Sequence, residues 1–168
     1  LNEVSKILSG EVDDQVSIYF TKNHILFEFD DTIVVSRLIE ATNYFDTDKM
    51  ISNDYKTKIT INKKEMADCI DRATLLIKEG DKKPVFLTIK DTEMELSINT
   101  FIGSMDESIP ISKEGSDIMI SFNPKFLIDI LKVLDQEQVS IFFTNPKAPC
   151  FIRDEENSYI YIVLPVVQ

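Results

Sequence analysis

A seven-residue stretch occurs twice in this 168-residue chain, and the repeat restricts the possible folds more than any other feature. Residues 15–21 read QVSIYFT and residues 138–144 read QVSIFFT, so the two copies differ only at Tyr19 and Phe142. Each copy follows a segment of helical periodicity that ends in lysine, a branched aliphatic residue and leucine, and each leads into further strand-like segments. Such self-similarity predicts an architecture assembled from one repeated supersecondary unit.

Apolar and polar residues alternate with a period of two in most of the remaining chain. This alternation indicates antiparallel strands with one buried and one solvent-exposed face. Met94, Leu96 and Ile98, for example, alternate with two glutamates and a serine. The turn at Lys22-Asn23 joins two such rows and predicts a hairpin. Strands after residue 56 are predicted at 57–61, 84–90, 93–99, 101–111 and 118–122.

Three segments, residues 1–9, 62–79 and 124–134, have the spacing of amphipathic helices instead. Asn62, three residues before a glutamate, and Asn123, directly before a proline, predict the N-caps of the second and third helices. The residues predicted to be buried are Met66, Ile70, Ala73 and Ile77 in the second helix, and Leu127, Ile130, Leu131 and Leu134 in the third.

The segments follow one order, namely a strand, a helix and three strands. This unit occurs about two and a half times, because the first copy lacks its opening strand. We therefore predict an α+β fold of repeated strand–helix–three-strand units, with antiparallel sheets and with the helices on one face.

The charges are divided unevenly between these elements. The chain carries 18 basic and 29 acidic residues, a net charge of −11, which excludes a protein that wraps DNA phosphates with its whole surface. The three helical segments hold seven basic and six acidic residues, whereas the strands and loops hold eleven and 23. This distribution either reflects the mixed charges common on helix surfaces or indicates helices presented to a polyanion, which the rest of the molecule repels.

No pattern in the sequence supports catalysis or cofactor binding. The four glycines are isolated, so no phosphate-binding loop is present, and His24 is the only histidine. Cys69 and Cys150 lack metal-ligand spacing, and we expect them to be reduced, buried thiols. The acidic run Asp154-Glu155-Glu156-Asn157 lies between two strand-like segments and is interpreted as a solvated hairpin turn.

Neither a membrane span nor a secretory signal is recognisable, which favours a cytoplasmic protein. The chain begins with Leu1, inside a predicted helix and without an initiator methionine. We therefore expect it to be the C-terminal part of a longer protein.

Several stretches, in the same order along the whole chain, resemble the bacterial DNA polymerase III beta subunit family, the sliding clamps. They are Leu1–Leu8, Ser36–Glu40, Ile70–Leu76, Ser121–Leu127 and Tyr161–Val166. The resemblance implies the DNA-clamp fold, with residues 1–43 as the second half of the middle domain, 44–56 as a linker and 57–168 as the C-terminal domain.

The same resemblance implies a function without catalysis, cofactor or metal. In that family a homodimeric ring, with helices inside and sheets outside, encircles double-stranded DNA independently of sequence. The ring tethers the polymerase III alpha subunit, and the clamp loader and other clamp-motif proteins bind it as well. By analogy, the residues expected to face DNA are Lys6, Lys63, Arg72, Lys125 and Lys132.

Two further sites follow from the resemblance. Leu75 and Leu76 match the apolar contact through which the ring closes, and Leu76 also fits the buried stripe of its helix, whereas Leu75 does not. The family's hydrophobic pocket receives a partner segment of the type Gln-x-x-Leu-Phe. Its expected residues here are Phe45, Lys49, Met50, Asn123, Phe126, Lys147, Pro149, Ile162, Leu164, Pro165, Val166 and Val167.

Three alternatives to the clamp interpretation remain, one for the C-terminal segment and two for the function of the whole chain. From the residues alone, a final strand that frays is the preferred explanation of the apolar end at 164–167, and only the resemblance to the clamp family reverses this preference. The whole chain could also be an acidic protein-interaction scaffold without a nucleic-acid role, in which the negative charge serves solubility. A hydrolase using the carboxylates of 154–156 would be a third class of function.

Overall fold

The computed structural model describes residues 2–8, 15–39, 54–78, 80–156 and 158–167, and the chain divides into the units Leu1–Ile51 and Ser52–Gln168. Most of the predicted linker, residues 44–53, lies outside the described residues. The predicted domain boundaries therefore stay a prediction.

In residues 2–8 and 15–39, the first unit contains one short helix and a three-stranded antiparallel sheet. Its elements are α1 (Asn2–Ile7), β1 (Ser17–Phe20), β2 (His24–Phe29) and β3 (Thr32–Arg37), in the sheet order β1-β2-β3. The predicted hairpin at 22–23 is present, since the Thr21 backbone N–H donates to the carbonyl of His24 at 2.9 Å. Val4, Phe27 and Phe29 form a small core, while both faces of this sheet retain exposed apolar side chains.

Among its described residues, the second unit contains an eight-stranded antiparallel sheet and two helices. In chain order these are β4 (Thr57–Asn62), α2 (Lys63–Thr74), β5 (Val85–Lys90), β6 (Glu93–Asn99), β7 (Ser104–Gly115), β8 (Ile118–Phe122), α3 (Pro124–Val133), β9 (Gln138–Phe143), β10 (Cys150–Arg153) and β11 (Ile160–Val163). The sheet order is β11-β10-β9-β4-β7-β6-β5-β8. Two complete strand–helix–three-strand units are therefore present, and the predicted fold class is confirmed.

Every second residue of the strands is buried, and these residues form one shared hydrophobic core. In β6, Met94, Leu96 and Ile98 are buried, whereas Glu93 and Glu95 are exposed. The buried rows of the other strands and the apolar sides of α2 and α3 belong to the same cluster. Because both helices cover this one core, they lie in contact with each other.

The predicted caps are confirmed, but both helices end earlier than predicted. The side-chain oxygen of Asn62 accepts from the Glu65 backbone N–H, and that of Asn123 accepts from the Lys125 N–H, each at 3.1 Å. Residues 75–77 continue α2 as turns, and Leu134 has extended backbone angles. In α3 the buried side is centred on Pro124, Leu127, Ile128 and Leu131, so the predicted Ile130 lies at its margin and is half-buried.

The C-terminal segment joins the two edges of the sheet. β11 and β8 are the terminal strands of the sheet order. The Val166 N–H nevertheless donates to the Ser121 carbonyl at 2.8 Å, and the Ser121 hydroxyl donates to the Val166 carbonyl at 2.8 Å. Residues 164–167 therefore run from one edge strand to the other, held at Val166.

Both cysteines are buried and unpaired, as predicted. Burial raises the pKa of the Cys69 thiol from 9.0 to about 11 and that of Cys150 from 9.0 to about 12. A raised pKa in the folded state means that deprotonation favours unfolding. The stabilising contribution of these protonated thiols is therefore complete below pH 9 and is lost as the pH rises through 11 and 12.

We expect neither thiol to react with Ellman's reagent at pH 8 in the native protein, because each is buried and protonated. Both should react at once in denaturant. Absorbance at 412 nm measures the released thiolate, and rapid stoichiometric labelling of the native chain would contradict the buried positions.

None of the helices within the described ranges has both the length and the apolar character needed to cross a membrane.

Candidate functional site

A small apolar cavity lies on the solvent side of β8, beside the C-terminal segment. Its volume is about 180 Å³. Its lining residues are Phe86, Met119, Ile120, Ser121, Pro146, Lys147, Val166 and Val167. The cavity combines an apolar floor with one ammonium group at its rim.

The floor of this cavity forms because two apolar residues occupy strand positions on the solvent face, where the alternation predicts polar residues. In β5, Val85 and Leu87 point into the core, so Phe86 between them points to the opposite face. Met119 lies in β8 next to the buried Ile120 and is itself exposed. Phe86 pairs with Ser121 across the two strands, which places these side chains on one face.

A second cavity, of about 430 Å³, lies at the end of β8 where α3 begins. Its lining residues are Thr74, Ile77, Gly80, Asp81, Lys82, Lys83, Asn123, Pro124 and Lys125. The backbone at Asn123 is extended, with φ −70° and ψ 117°, and its side-chain oxygen accepts a hydrogen bond from the Lys125 N–H at the start of α3. The name groove is used below for these two cavities together, which have no lining residue in common.

Ser121 positions one wall of the groove. Its two hydrogen bonds to Val166 hold the C-terminal segment against β8, so the segment does not fray at this point. Val167 then lines the groove, and the Leu164 side chain is 63% exposed nearby in the sequence. The result is a pre-formed apolar surface, which suits an extended apolar peptide.

The structure places the predicted pocket residues in three groups. Those that line the groove are Asn123, Lys147, Val166 and Val167. Those that lie elsewhere in the second unit and line neither cavity are Phe126, Pro149, Ile162, Leu164 and Pro165. Phe45, Lys49 and Met50 lie outside the described residues. The full pocket therefore stays a prediction.

Sequence reasoning missed the other lining residues of the groove. Phe86 and Met119 could have been found, because an apolar residue out of phase on a half-buried strand marks a covered or functional surface. Lys82 and Lys83 belong to a turn-like stretch, and their place beside Asn123 depends on the pairing of β5 with β8. No local pattern predicts that placement.

The basic residues predicted to face DNA have different surroundings. Lys132 is exposed on α3, and Lys125 lines the groove at the start of the same helix. The Lys63 ammonium donates to the Leu134 carbonyl at 2.7 Å, which ties α2 to the end of α3. Lys6, in the first unit, pairs with Glu3 at 2.8 Å.

Arg72 forms a bidentate ion pair with Glu107 of β7. The Arg72 Nε donates to a Glu107 carboxylate oxygen at 3.0 Å, and its Nη2 donates to the other oxygen. These hydrogen bonds lower the pKa of Glu107 and raise the pKa of Arg72. Arg72 therefore presents little net charge to solvent, since its partner is ionised at neutral pH.

The two leucines at the end of α2 differ in exposure. Leu76 packs against the core, whereas the Leu75 side chain is 79% exposed. The predicted interface role of Leu75 and Leu76 stays a prediction.

The solvent face of β6 and β7 is acidic. Glu93 and Glu95 of β6 share this face with Asp106 of β7, which lies opposite Ser97. The acidic run at 154–156 belongs to the connection between β10 and β11, as predicted for a hairpin. In the part of the chain that the structure describes, no three side chains of the metal-ligating types are placed to hold an ion.

Comparison with known proteins gives consistent matches. Residues 48–167 match the sequence model of the family described as DNA polymerase III beta subunit, C-terminal domain. The beta sliding clamp of Bacillus subtilis (strain 168) is 38% identical over 170 residues, which cover 99% of this chain and 44% of the relative. The chain thus spans less than half the length of the curated relatives it matches.

Solved structures agree with the sequence matches. A crystal structure from Eubacterium rectale, described as a DNA polymerase III beta subunit, is 61% identical with a TM-score of 0.87, over 98% of this chain and 45% of that one. The crystal structure of the Bacillus subtilis sliding clamp is 38% identical with a TM-score of 0.84, over 99% of this chain and 44% of that one.

Proposed function

The chain belongs to the family of DNA polymerase III beta subunits, and from this premise we propose that it is part of a sliding clamp of bacterial chromosomal replication. The clamp is a non-catalytic processivity factor: a homodimeric ring of the full-length protein encircles double-stranded DNA and tethers the polymerase. The family and its place in replication support a cytoplasmic location.

The observation that carries this proposal is the arrangement of α2 and α3. They lie in contact over one core, while the solvent face of β6 and β7 carries carboxylates. The helical segments are nearly neutral, and the rest of the chain is strongly acidic. Weak, sequence-independent attraction from helices permits sliding, because each firm phosphate contact would add affinity that opposes movement.

Within this proposal the DNA-facing residues remain Lys6, Lys63, Arg72, Lys125 and Lys132. The hydrogen bonds of Lys63 and Arg72 inside the second unit support a weak rather than a firm attraction. Leu75, with Leu76 behind it, is the proposed contact for ring closure, because its exposed side chain gains from burial against a neighbour.

The smaller cavity, beside the C-terminal segment, is the proposed docking site for partner segments with Gln and a Leu-Phe pair. Phe86, Met119 and Val167 offer apolar surface to the partner's apolar side chains. Partners of this kind are the polymerase III alpha subunit, the clamp loader and other clamp-motif proteins. The predicted residues that line neither cavity, among them Leu164, complete the site at its margins.

Topological retention on DNA tests the function. We expect the full-length protein, loaded onto nicked circular DNA by its clamp loader, to co-elute with the circle in gel filtration at high salt. Linearising the DNA should release it, because a ring slides off a free end. An acidic scaffold without a nucleic-acid role would not co-elute with the circle, and that outcome would overturn the proposal.

A further inference from the structure

Six basic residues lie in the three helices that the structure describes, and their surroundings differ. Four of them are held by partners within the protein, and these contacts are Lys6 with Glu3, Lys64 with Asp68, Arg72 with Glu107, and Lys63 with the Leu134 carbonyl. The other two, Lys125 and Lys132, are exposed on α3. Within the described ranges, neither of these two lysines forms an ion pair. The uncompensated positive charge of the helices is therefore concentrated on α3.

The charged residues of α3 lie on one side of the helix. Lys125 and Lys132 are two helical turns apart, which separates them by about 10.5 Å along the axis on the same side. Asp129 lies between them, four residues after the first lysine and three before the second, and it is exposed as well. Residues three or four apart are neighbours on a helix surface. The solvent side of α3 therefore carries a carboxylate between two ammonium groups.

The position of Lys125 is unfavourable for the stability of the helix. It follows Pro124 at the start of α3, and the first turn of this helix contains no acidic residue. The helix macrodipole places partial positive charge at this end, so an acidic side chain would stabilise the helix here and a cation does not. A residue that departs from such a local rule marks a functional or strained site. Lys132 lies in the last turn, where the same dipole favours a cation.

We propose that α3 supplies most of the attraction between the ring and DNA, and that Asp129 limits its strength. This inference rests on the proposed function, which places the helices on the inner side of the ring, and it adds which helix attracts the duplex and what weakens that attraction. Lys125 and Lys132 attract phosphates, whereas the carboxylate between them repels phosphates. Such a balance suits sliding, because each phosphate that is firmly neutralised adds affinity.

Removal of the carboxylate tests the proposal in the full-length protein. The clamp loader places a fluorescent ring on stretched DNA, and single-molecule imaging measures its diffusion coefficient at low salt. We expect Asp129→Asn to slow diffusion about two- to five-fold, because both lysines then attract phosphates unopposed. Glu95→Gln is the matched control, since it removes an exposed carboxylate of β6 and changes the net charge equally; it should diffuse like the unmodified ring. In about 0.5 M salt the difference should disappear, because screening weakens exposed charges.

A matched pair of lysine variants tests the special position of α3. Lys132→Gln and Lys64→Gln each remove one exposed helical lysine, but only Lys64 is paired with a carboxylate, that of Asp68. We expect Lys132→Gln to weaken the salt dependence of diffusion clearly more than Lys64→Gln does. Lys125→Gln should act like Lys132→Gln. It should also leave the melting temperature equal or higher, because it removes a cation from the start of a helix.

Equal diffusion of the Asp129→Asn and Glu95→Gln rings, or equal effects of the two lysine variants, would overturn the role of α3. The unmodified ring would still be retained on circular DNA in that case, so the proposed function would stand. A lower melting temperature of Lys125→Gln would show that this lysine serves the fold and would contradict its part in the proposal. Failure of the unmodified protein to remain on circular DNA would overturn the proposed function and this inference with it.

Discussion

Replacing Gly115 by alanine is expected to lower the free energy of unfolding of the second unit by about 3–5 kcal/mol. Gly115 has a φ of +95°, and a Cβ atom there would lie 1.9 Å from the Lys56 carbonyl oxygen. That carbonyl cannot easily move aside, because it accepts a hydrogen bond from the Ser116 N–H at 3.2 Å. The Thr57 hydroxyl further ties the two segments by donating to the Ser116 carbonyl at 2.7 Å.

Gly80 provides the matched control. Its φ is +90°, yet nothing lies within 4 Å of a Cβ placed there. Gly80→Ala should therefore show only the cost of the left-handed backbone, about 1 kcal/mol. Urea denaturation followed by circular dichroism measures both variants, and equal losses would show that steric overlap at Gly115 contributes nothing.

Phe142→Ala is expected to destabilise the second unit by about 3–5 kcal/mol. The Phe142 ring is only 6% exposed although it lies on the sheet face opposite the core. The Tyr55 ring packs edge-on against it with centroids 5.0 Å apart, and the Arg153 guanidinium lies 4.7 Å from its centroid. Removing the ring would leave a cavity and take away the surface on which both side chains rest.

The internal repeat supplies the control for this prediction. Tyr19 occupies the equivalent position of the first copy, and its side chain is 52% exposed. Tyr19→Ala should cost less than about 1 kcal/mol, as exposed substitutions usually do. Urea denaturation compares the two variants, and similar losses would mean that the two copies have similar surroundings.

The fold was largely predictable because its signals are local. Alternation identified the strands and their buried faces, as in β6, and Asn62 and Asn123 marked the starts of α2 and α3. Side-chain direction follows directly from backbone periodicity, so it can be deduced from neighbouring residues alone. Helix ends were less predictable, since turns continue the helical spacing beyond Thr74.

The candidate site was only partly predictable, because it joins segments that are distant in sequence. Ser121 and Val166, which shape one wall of the groove, are 45 residues apart, and Arg72 is paired with Glu107 across 35 residues. The groove lysines also come from different segments. The presence of a lysine or arginine in the sequence gives no information about which distant carboxylate or carbonyl will accept its hydrogen bonds.

The two copies of the repeat show which structural properties follow from the sequence and which follow only from the tertiary structure. Sequence alone determined that both copies form strands and which side chains share a face, because those properties depend on local backbone geometry. Only the tertiary structure decided that Phe142 is covered by Tyr55 and Arg153, whereas Tyr19 remains half exposed. The burial of a side chain depends on which segments, far away in the sequence, pack against it. Two nearly identical local sequences therefore cannot predict this difference in burial.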